Sequence, residues 1–260
     1  MILACARWIL PLSVVLLTFL GEPVKCQTIV ERKGFAVRGG LSGGFDVGAG
    51  VGGNTVNPNL TYYELKSLTR SNTVLVGWTA RLSAFYGQNL SYYTAPARLT
   101  HVDAIDTVSF SRLAQTSLNL GVRAEWNLGR LQLGASVDLL GFTFLGRSRI
   151  GQVSSSTGLF IQTDSLGQSQ QSPFQGPAIF QQASPTRLNV KLWGDHERGM
   201  LTTEVYARIY LGSTVALKLG YQWLSTEMTL KNRDLVADNA RFRNRVSLPY
   251  LALTFPITPW

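Results

Sequence analysis

The sequence predicts an all-β chain folded as an antiparallel up-and-down β-barrel of about eight strands. Three observations carry this: apolar residues recur at every second position over long runs, the runs are joined by alternately tight and long connections, and an apolar leader precedes them.

Alternation is clearest at Leu118, Leu120, Val122, Ala124, Trp126 and Leu128, interleaved with Asn119, Gly121, Arg123, Glu125 and Asn127. Wound as a helix, this stretch would set Arg123 and Glu125 into its apolar side, so it reads as a strand. After Gly129-Arg130 the pattern resumes with Leu131, Leu133, Ala135, Val137 and Leu139 against Gln132, Gly134, Ser136 and Asp138, which makes a hairpin. A second hairpin sets Val205, Ala207, Ile209 and Leu211 against Glu204, Tyr206, Arg208 and Tyr210, turns at Gly212-Ser213-Thr214, and returns through Val215, Leu217, Leu219, Tyr221 and Trp223. The runs Phe35 to Val47 and Val74 to Tyr86 alternate in the same way.

In chain order the strands are expected at 33–50, 58–69, 73–92, 114–128, 131–145, 199–211, 215–229 and 243–255. Tight connections fall near 70–72, 129–130 and 212–214, and longer ones at 93–113, 146–198 and 230–242. Membrane barrels show this asymmetry, with short periplasmic turns and longer external loops. The stretch 146–185 is rich in Ser, Gln and Gly and holds Pro173, Pro177 and Pro185, so an external loop or a raised hairpin is expected there. Leu188, Val190 and Leu192 alternate with Asn189, Lys191 and Trp193, which keeps a ten-strand barrel open as the alternative.

Arg7 precedes an apolar run from Trp8 to Leu20, after which Gly21-Glu22-Pro23 breaks the pattern. This reads as a signal peptide over 1–26, cut near Cys26, leaving 27–260 as one barrel domain. Pro11 interrupts the run, which is shorter than the roughly 20 residues of a membrane-crossing helix. The second cysteine is Cys5, inside the leader, so a chain cut after Cys26 has neither a disulfide nor a thiolate metal site to offer.

The formal charge is +9, or +8 once Arg7, Lys25 and Glu22 leave with the leader. The basic residues are scattered singly along strands, with Arg241, Arg243 and Arg245 the one dense group, and this argues against nucleic-acid binding. Hydrophobic residues make up 45% of the chain and charged ones 15%, although no downstream stretch is long and apolar enough for a membrane helix.

Which face meets lipid is decided by the polar set. Arg38, Asp46, Arg81, Arg123, Glu125, Asp138, Glu204, Arg208 and Lys218 all belong to it, and a membrane barrel turns such residues inward. A secreted soluble barrel, apolar face inward, is the opposing reading. The predicted strands exceed the five or six residues usual in soluble sheets, and Trp78, Tyr86, Trp126, Tyr221 and Trp223 suit interfacial girdles. A transmembrane barrel follows, its lumen just wide enough for side chains and filled by these charges in mutual compensation.

With its export signal, eight alternating strands, long loops on one side and aromatic C-terminal end, the chain resembles over about 33–260 the small outer-membrane β-barrel proteins of the OmpX, OmpA and OmpW type, including the PorT-like barrels. The resemblance implies an outer-membrane location, contact with outer-membrane lipid, and recognition of the last strand by the barrel-assembly machinery. Phe255 or Trp260 would supply the terminal aromatic, although the tail after Phe255 departs from the family's ending.

Candidate chemistry is sparse. Gly48, Gly50 and Gly53 satisfy G-x-G-x-x-G, but Asn54 to Pro58 reads as a turn where a nucleotide-binding helix should begin, so these are expected to be small inward residues of a narrow barrel. Asp195-His196-Glu197, and His101 with Asp103 and Asp106, could offer acid/base or metal chemistry at the rim, yet no nucleophile motif accompanies them and solvated loop charges account for both groups. No catalytic, cofactor-binding or metal-ligating residue is therefore assigned, and no cofactor is expected. The leading expectation is a non-enzymatic outer-membrane scaffold whose long loops contact a surface partner. A narrow channel or transporter for small solutes and a rim-located hydrolase or acyltransferase are the alternatives within the membrane.

Overall fold

The structure, a computed structural model, describes residues 40–95, 106–154, 159–163, 169–173, 179–192, 196–212, 214–231 and 240–257. The expected signal peptide, Arg38, His101, Asp103, Asp195 and Trp260 lie outside the described residues. The strands are β1 (Leu41–Gly52), β2 (Thr55–Ser67), β3 (Val74–Thr94), β4 (Thr107–Asn127), β5 (Leu131–Gly146), β6 (Arg149–Ser154), β7 (Leu159–Thr163), β8 (Ser169–Pro173), β9 (Phe180–Pro185), β10 (Leu188–Val190), β11 (Leu201–Tyr210), β12 (Ala216–Leu230) and β13 (Arg241–Ile257).

Eight of these close a ring of antiparallel neighbours, β1-β2-β3-β4-β5-β11-β12-β13, with β13 returning to β1. The pairings run from Gly50 through Tyr250, Gly220, Tyr206, Gly134, Glu125, Leu75 and Ser67, and the Ser67 amide then meets the Gly40 carbonyl, ten positions before the start. That stagger tilts the strands by about 40° and gives a wall of ~8 Å radius, a lumen that side chains can fill.

The wall is apolar outside and polar inside. On β11, Val205 and Ile209 are exposed while Glu204, Tyr206, Arg208 and Tyr210 are buried, and the same parity holds on β4, where Leu120, Val122 and Trp126 face out and Asn119, Arg123 and Glu125 face in. The soluble-barrel reading is overturned by this placement: its apolar set would have to be the buried one. Two β-bulges on β5 each set a pair of apolar residues outward, Leu139 with Leu140 and Phe144 with Leu145. Gly44 and Gly50 face the lumen, where an added Cβ would come within 2.8 Å of the Tyr63 hydroxyl and 2.9 Å of Gln222 Oε1 respectively. Small residues here make room for large partners opposite.

The strands are unequal in length, and this shapes the upper end. β1 and β2 reverse at Gly53-Asn54, whereas β3 and β4 have 21 residues each. Above that reversal β13 pairs directly with β3 (Phe242↔Thr94, Arg243↔Tyr93), β12 with β9 (Met228↔Pro185), β9 with β6 (Arg149↔Ala183) and β6 with β4 (Ser109↔Gln152). A narrower ring, β3-β4-β6-β9-β12-β13, thus closes over the eight-stranded one. The connection 146–198 is therefore not a plain loop: β6 and β9 are staves of this upper ring, and β7 and β8 pair in a separate two-stranded sheet.

The ten-strand alternative is corrected as well. β10 pairs with Leu140–Phe142 of β5, where β11 has not yet begun, and its three residues span ~10 Å against the ~25 Å apolar band of a membrane. It patches the seam and adds no stave to the main ring.

Candidate functional site

Inside the eight-stranded ring, Arg81, Arg123, Arg208 and Lys218 face Asp46, Glu125, Asp138 and Glu204, all buried and equal in number. Asp46 accepts hydrogen bonds from Arg123 Nη1 at 2.8 Å, Lys218 Nζ at 2.9 Å and Thr254 Oγ1 at 2.6 Å. Glu125 receives Arg123 Nε at 2.8 Å, Arg208 Nη2 at 3.0 Å and the Tyr206 hydroxyl. Glu204 is held by Lys218, by Gln222 Nε2 at 2.8 Å and by Arg81 Nη1 at 3.4 Å. Asp138 lies 3.5 Å from Arg81 Nε and accepts from the Thr202 amide at 2.9 Å. The Arg123 guanidinium also lies over the rings of Tyr63, at 4.1 Å, and Tyr206, at 4.7 Å. Buried charges of this kind are tolerable only when mutually paired and hydrogen-bonded, and here each ion touches at least one opposite charge.

Above this layer the lumen turns apolar. Phe85, Leu90, Tyr92, Val108, Phe110, Leu113, Val153, Ala183, Met200, Leu224, Met228, Leu230, Phe242 and Leu248 form one buried cluster under and within the upper ring. Tyr92 and Phe110 meet edge to face at 5.4 Å, and Gly151 lets β6 approach, since an added Cβ would sit 2.5 Å from Val108 Cγ1. The lumen thus has a charged floor and an apolar dome.

A scan of protein-family models finds no match to the chain, and no curated protein matches its sequence. Among solved structures it is similar to the CymD monoaromatic hydrocarbon channel, at 7% identity over 85% of this chain and 89% of that one, with a TM-score of 0.20. A likeness that weak carries no argument, and the fold rests on the strand pairings above.

At the rim, Glu197 and Glu227 gather a second ion cluster. Glu227 is bound by Arg241 Nη2 at 2.7 Å, Arg243 Nη2 at 3.3 Å and Thr186 Oγ1 at 3.0 Å. Glu197 pairs with Lys191 and with Arg245 at 3.1 Å, while its carbonyl accepts from Arg241 and Arg243. Burial pushes the Glu197 carboxyl up, but the Lys191 hydrogen bond and the charges of Lys191, Arg243 and Arg245 outweigh it and hold the group below its ordinary value of 4.5. The cluster fastens the segment between β9 and β11 to β12 and β13.

Of the sequence candidates, Gly48 and Gly50 sit in the wall and Gly53 in the β1–β2 turn, where it adopts φ +54°. His196 is exposed, Glu197 is committed to the rim cluster, and Asp106 is buried with its amide on the Thr94 hydroxyl at 3.1 Å. Among the described residues no group of three metal-ligating side chains forms. The dense group Arg241, Arg243 and Arg245 anchors the rim cluster. The dome is not legible in the sequence because alternation inverts at its base. Gln88-Asn89 and Ser111-Arg112 each put two consecutive residues outside, with Asn89 at φ +49°, so a single phase cannot be followed through either strand.

Proposed function

We propose that this chain is an integral outer-membrane protein, exported through its leader and assembled as a closed barrel, that serves as a non-enzymatic scaffold presenting its upper rim to a surface partner. The observation that carries the scaffold reading is the filled lumen: a charge-balanced layer below and an apolar cluster above leave buried side chains at both levels. Membrane insertion is supported by the outer belt, where Trp78, Trp126, Tyr221 and Trp223 stand among exposed Leu, Val and Phe. β3 rises ~50 Å along the barrel axis at its tilt, about twice an apolar band of ~25 Å, and its outer residues change from Leu82 and Tyr86 to Gln88, Asn89 and Ser91 at the alternation break. That break marks the upper membrane boundary. Phe255, exposed near the lower end of β13 opposite Phe45, is the terminal aromatic offered to the barrel-assembly machinery.

The test has two parts. Gel mobility of the outer-membrane fraction with and without boiling reads barrel closure, and planar-bilayer recording reads the lumen. A heat-dependent shift without conductance is the expected outcome. Steady single-channel currents would replace the scaffold by the channel reading, and a soluble, shift-free protein would remove the membrane location.

A further inference from the structure

Charge is distributed unevenly over the outside of the barrel. Among the described residues every acid is buried except Glu64, which lies in the lower half of β2. At the upper boundary Arg112, Arg147, Arg149 and Arg187 are all exposed, and none pairs with a described acid.

The four converge. Ser148, between Arg147 and Arg149, has its hydroxyl 2.8 Å from that of Ser184, just before Arg187 in the chain. The Arg187 carbonyl accepts from the Thr143 amide at 2.7 Å, which ties it to β5. β4 has the same offset at Gln115↔Gly146 and at Ser109↔Gln152, and that offset carried between them puts Arg112 level with Arg149. Below Arg112, Arg147 and Arg149, and beside Arg187, the upper β5 bulge turns Phe144 and Leu145 outward, Phe142 stands 5.8 Å from Phe144, and Leu188 pairs beside Phe142.

Arginines over and beside an exposed aromatic and aliphatic step match the two ends of one kind of molecule. We propose that this corner of the barrel binds an anionic amphiphile, a lipid of the leaflet around the upper rim that carries phosphate on its headgroup. Its acyl chains lie on Phe142, Phe144 and Leu145, and its phosphates take the guanidinium groups, whose planar forks fit phosphate oxygens in pairs. The proposal rests on the membrane reading above and adds a ligand to it.

The full chain is refolded into phosphatidylcholine vesicles, alone and with increasing fractions of bis-phosphorylated lipid A, and lipid A retained by the extracted protein is measured by native mass spectrometry. Retention is expected to weaken about fivefold for each arginine changed to glutamine, and on the order of several hundredfold in R112Q/R147Q/R149Q/R187Q. R70Q/R130Q, at the lower turns, should leave it unchanged. Should the quadruple variant not fold, R112Q and R187Q singly carry the comparison. Unchanged retention in the arginine variants would overturn the site. So would displacement of lipid A by soluble tripolyphosphate, which would make the cluster a receptor for a free polyanion. Failure of the unmodified chain to float with phosphatidylcholine vesicles would refute the membrane reading itself, before any arginine is altered.

Discussion

Arg123 and Asp46 are 77 positions apart in the chain and lie on strands that are not neighbours in the ring, yet Nη1 and Oδ2 meet at 2.8 Å with both side chains fully buried. The pair is a strut across the lumen. Removing one partner leaves the other charge buried without its closest counterion, so Asp46→Asn or Arg123→Met should each destabilise the barrel by about 3–5 kcal/mol. Replacing both with apolar residues should cost less than the two single changes added together. Urea titration of the vesicle-embedded protein, followed by the gel mobility of unboiled samples, gives the comparison.

On the outer face, Leu120 is exposed in the middle of the β4 belt. Leu120→Arg should cost about 2–4 kcal/mol in a bilayer, because lipid cannot solvate the guanidinium. The same titration measures it; a change within experimental error would mean that water, not lipid, surrounds this face.

The dome can be loosened without touching the charged layer. Gly151→Val would drive a side chain into Val108 Cγ1 and Phe110 Cε1, which lie 2.5 and 2.7 Å from the position of an added Cβ. A loss of about 1–3 kcal/mol is expected. Protease cleavage at the rim should accelerate while the barrel keeps its heat-dependent mobility.

Two deletions separate ornament from structure in the connection between β5 and β11. Removing 155–178 spares β6 and β9 and should leave both the fold and an electrically silent lumen. Removing 150–185 takes out Val153 and Ala183 of the dome and the strands that close the upper ring, so a less stable barrel with a protease-sensitive rim is expected, its lumen still blocked by the charged layer.

The rim cluster should be acid-sensitive. The Glu197 carboxyl titrates lower in the folded chain than in the unfolded one, so its contribution is fully present above the ordinary value of 4.5 and is lost as pH falls through the depressed folded value. Limited proteolysis between β9 and β11 should therefore quicken in that acidic window. Glu197→Gln should raise the rate at neutral pH and flatten its pH dependence.

Much of the main ring can be read from the chain because one face of each strand repeats without interruption. Leu118 to Leu128 and Val205 to Leu211 hold their phase from end to end, and the buried charges follow as the complementary set. The upper ring is illegible for a physical reason: phase inverts at Gln88-Asn89 and Ser111-Arg112, and Leu90, Tyr92, Val108 and Phe110 then face inward where the lower pattern would put polar residues. The rim cluster escapes notice because Glu197 and Arg243 meet only through the fold, whereas proximity in the chain joins Glu197 to His196. The arginine corner likewise assembles from three segments, none of which is conspicuously basic alone.

The Gly53-Asn54 reversal governs the shape of the whole mouth. Because β1 and β2 stop there, β13 and β3 are free to touch above them, and eight staves taper to six. A relative whose first hairpin ran two or three residues further on each strand would hold β3 and β13 apart and end in an open vestibule. The length of one hairpin is thereby the variable that separates a capped barrel from an uncapped one.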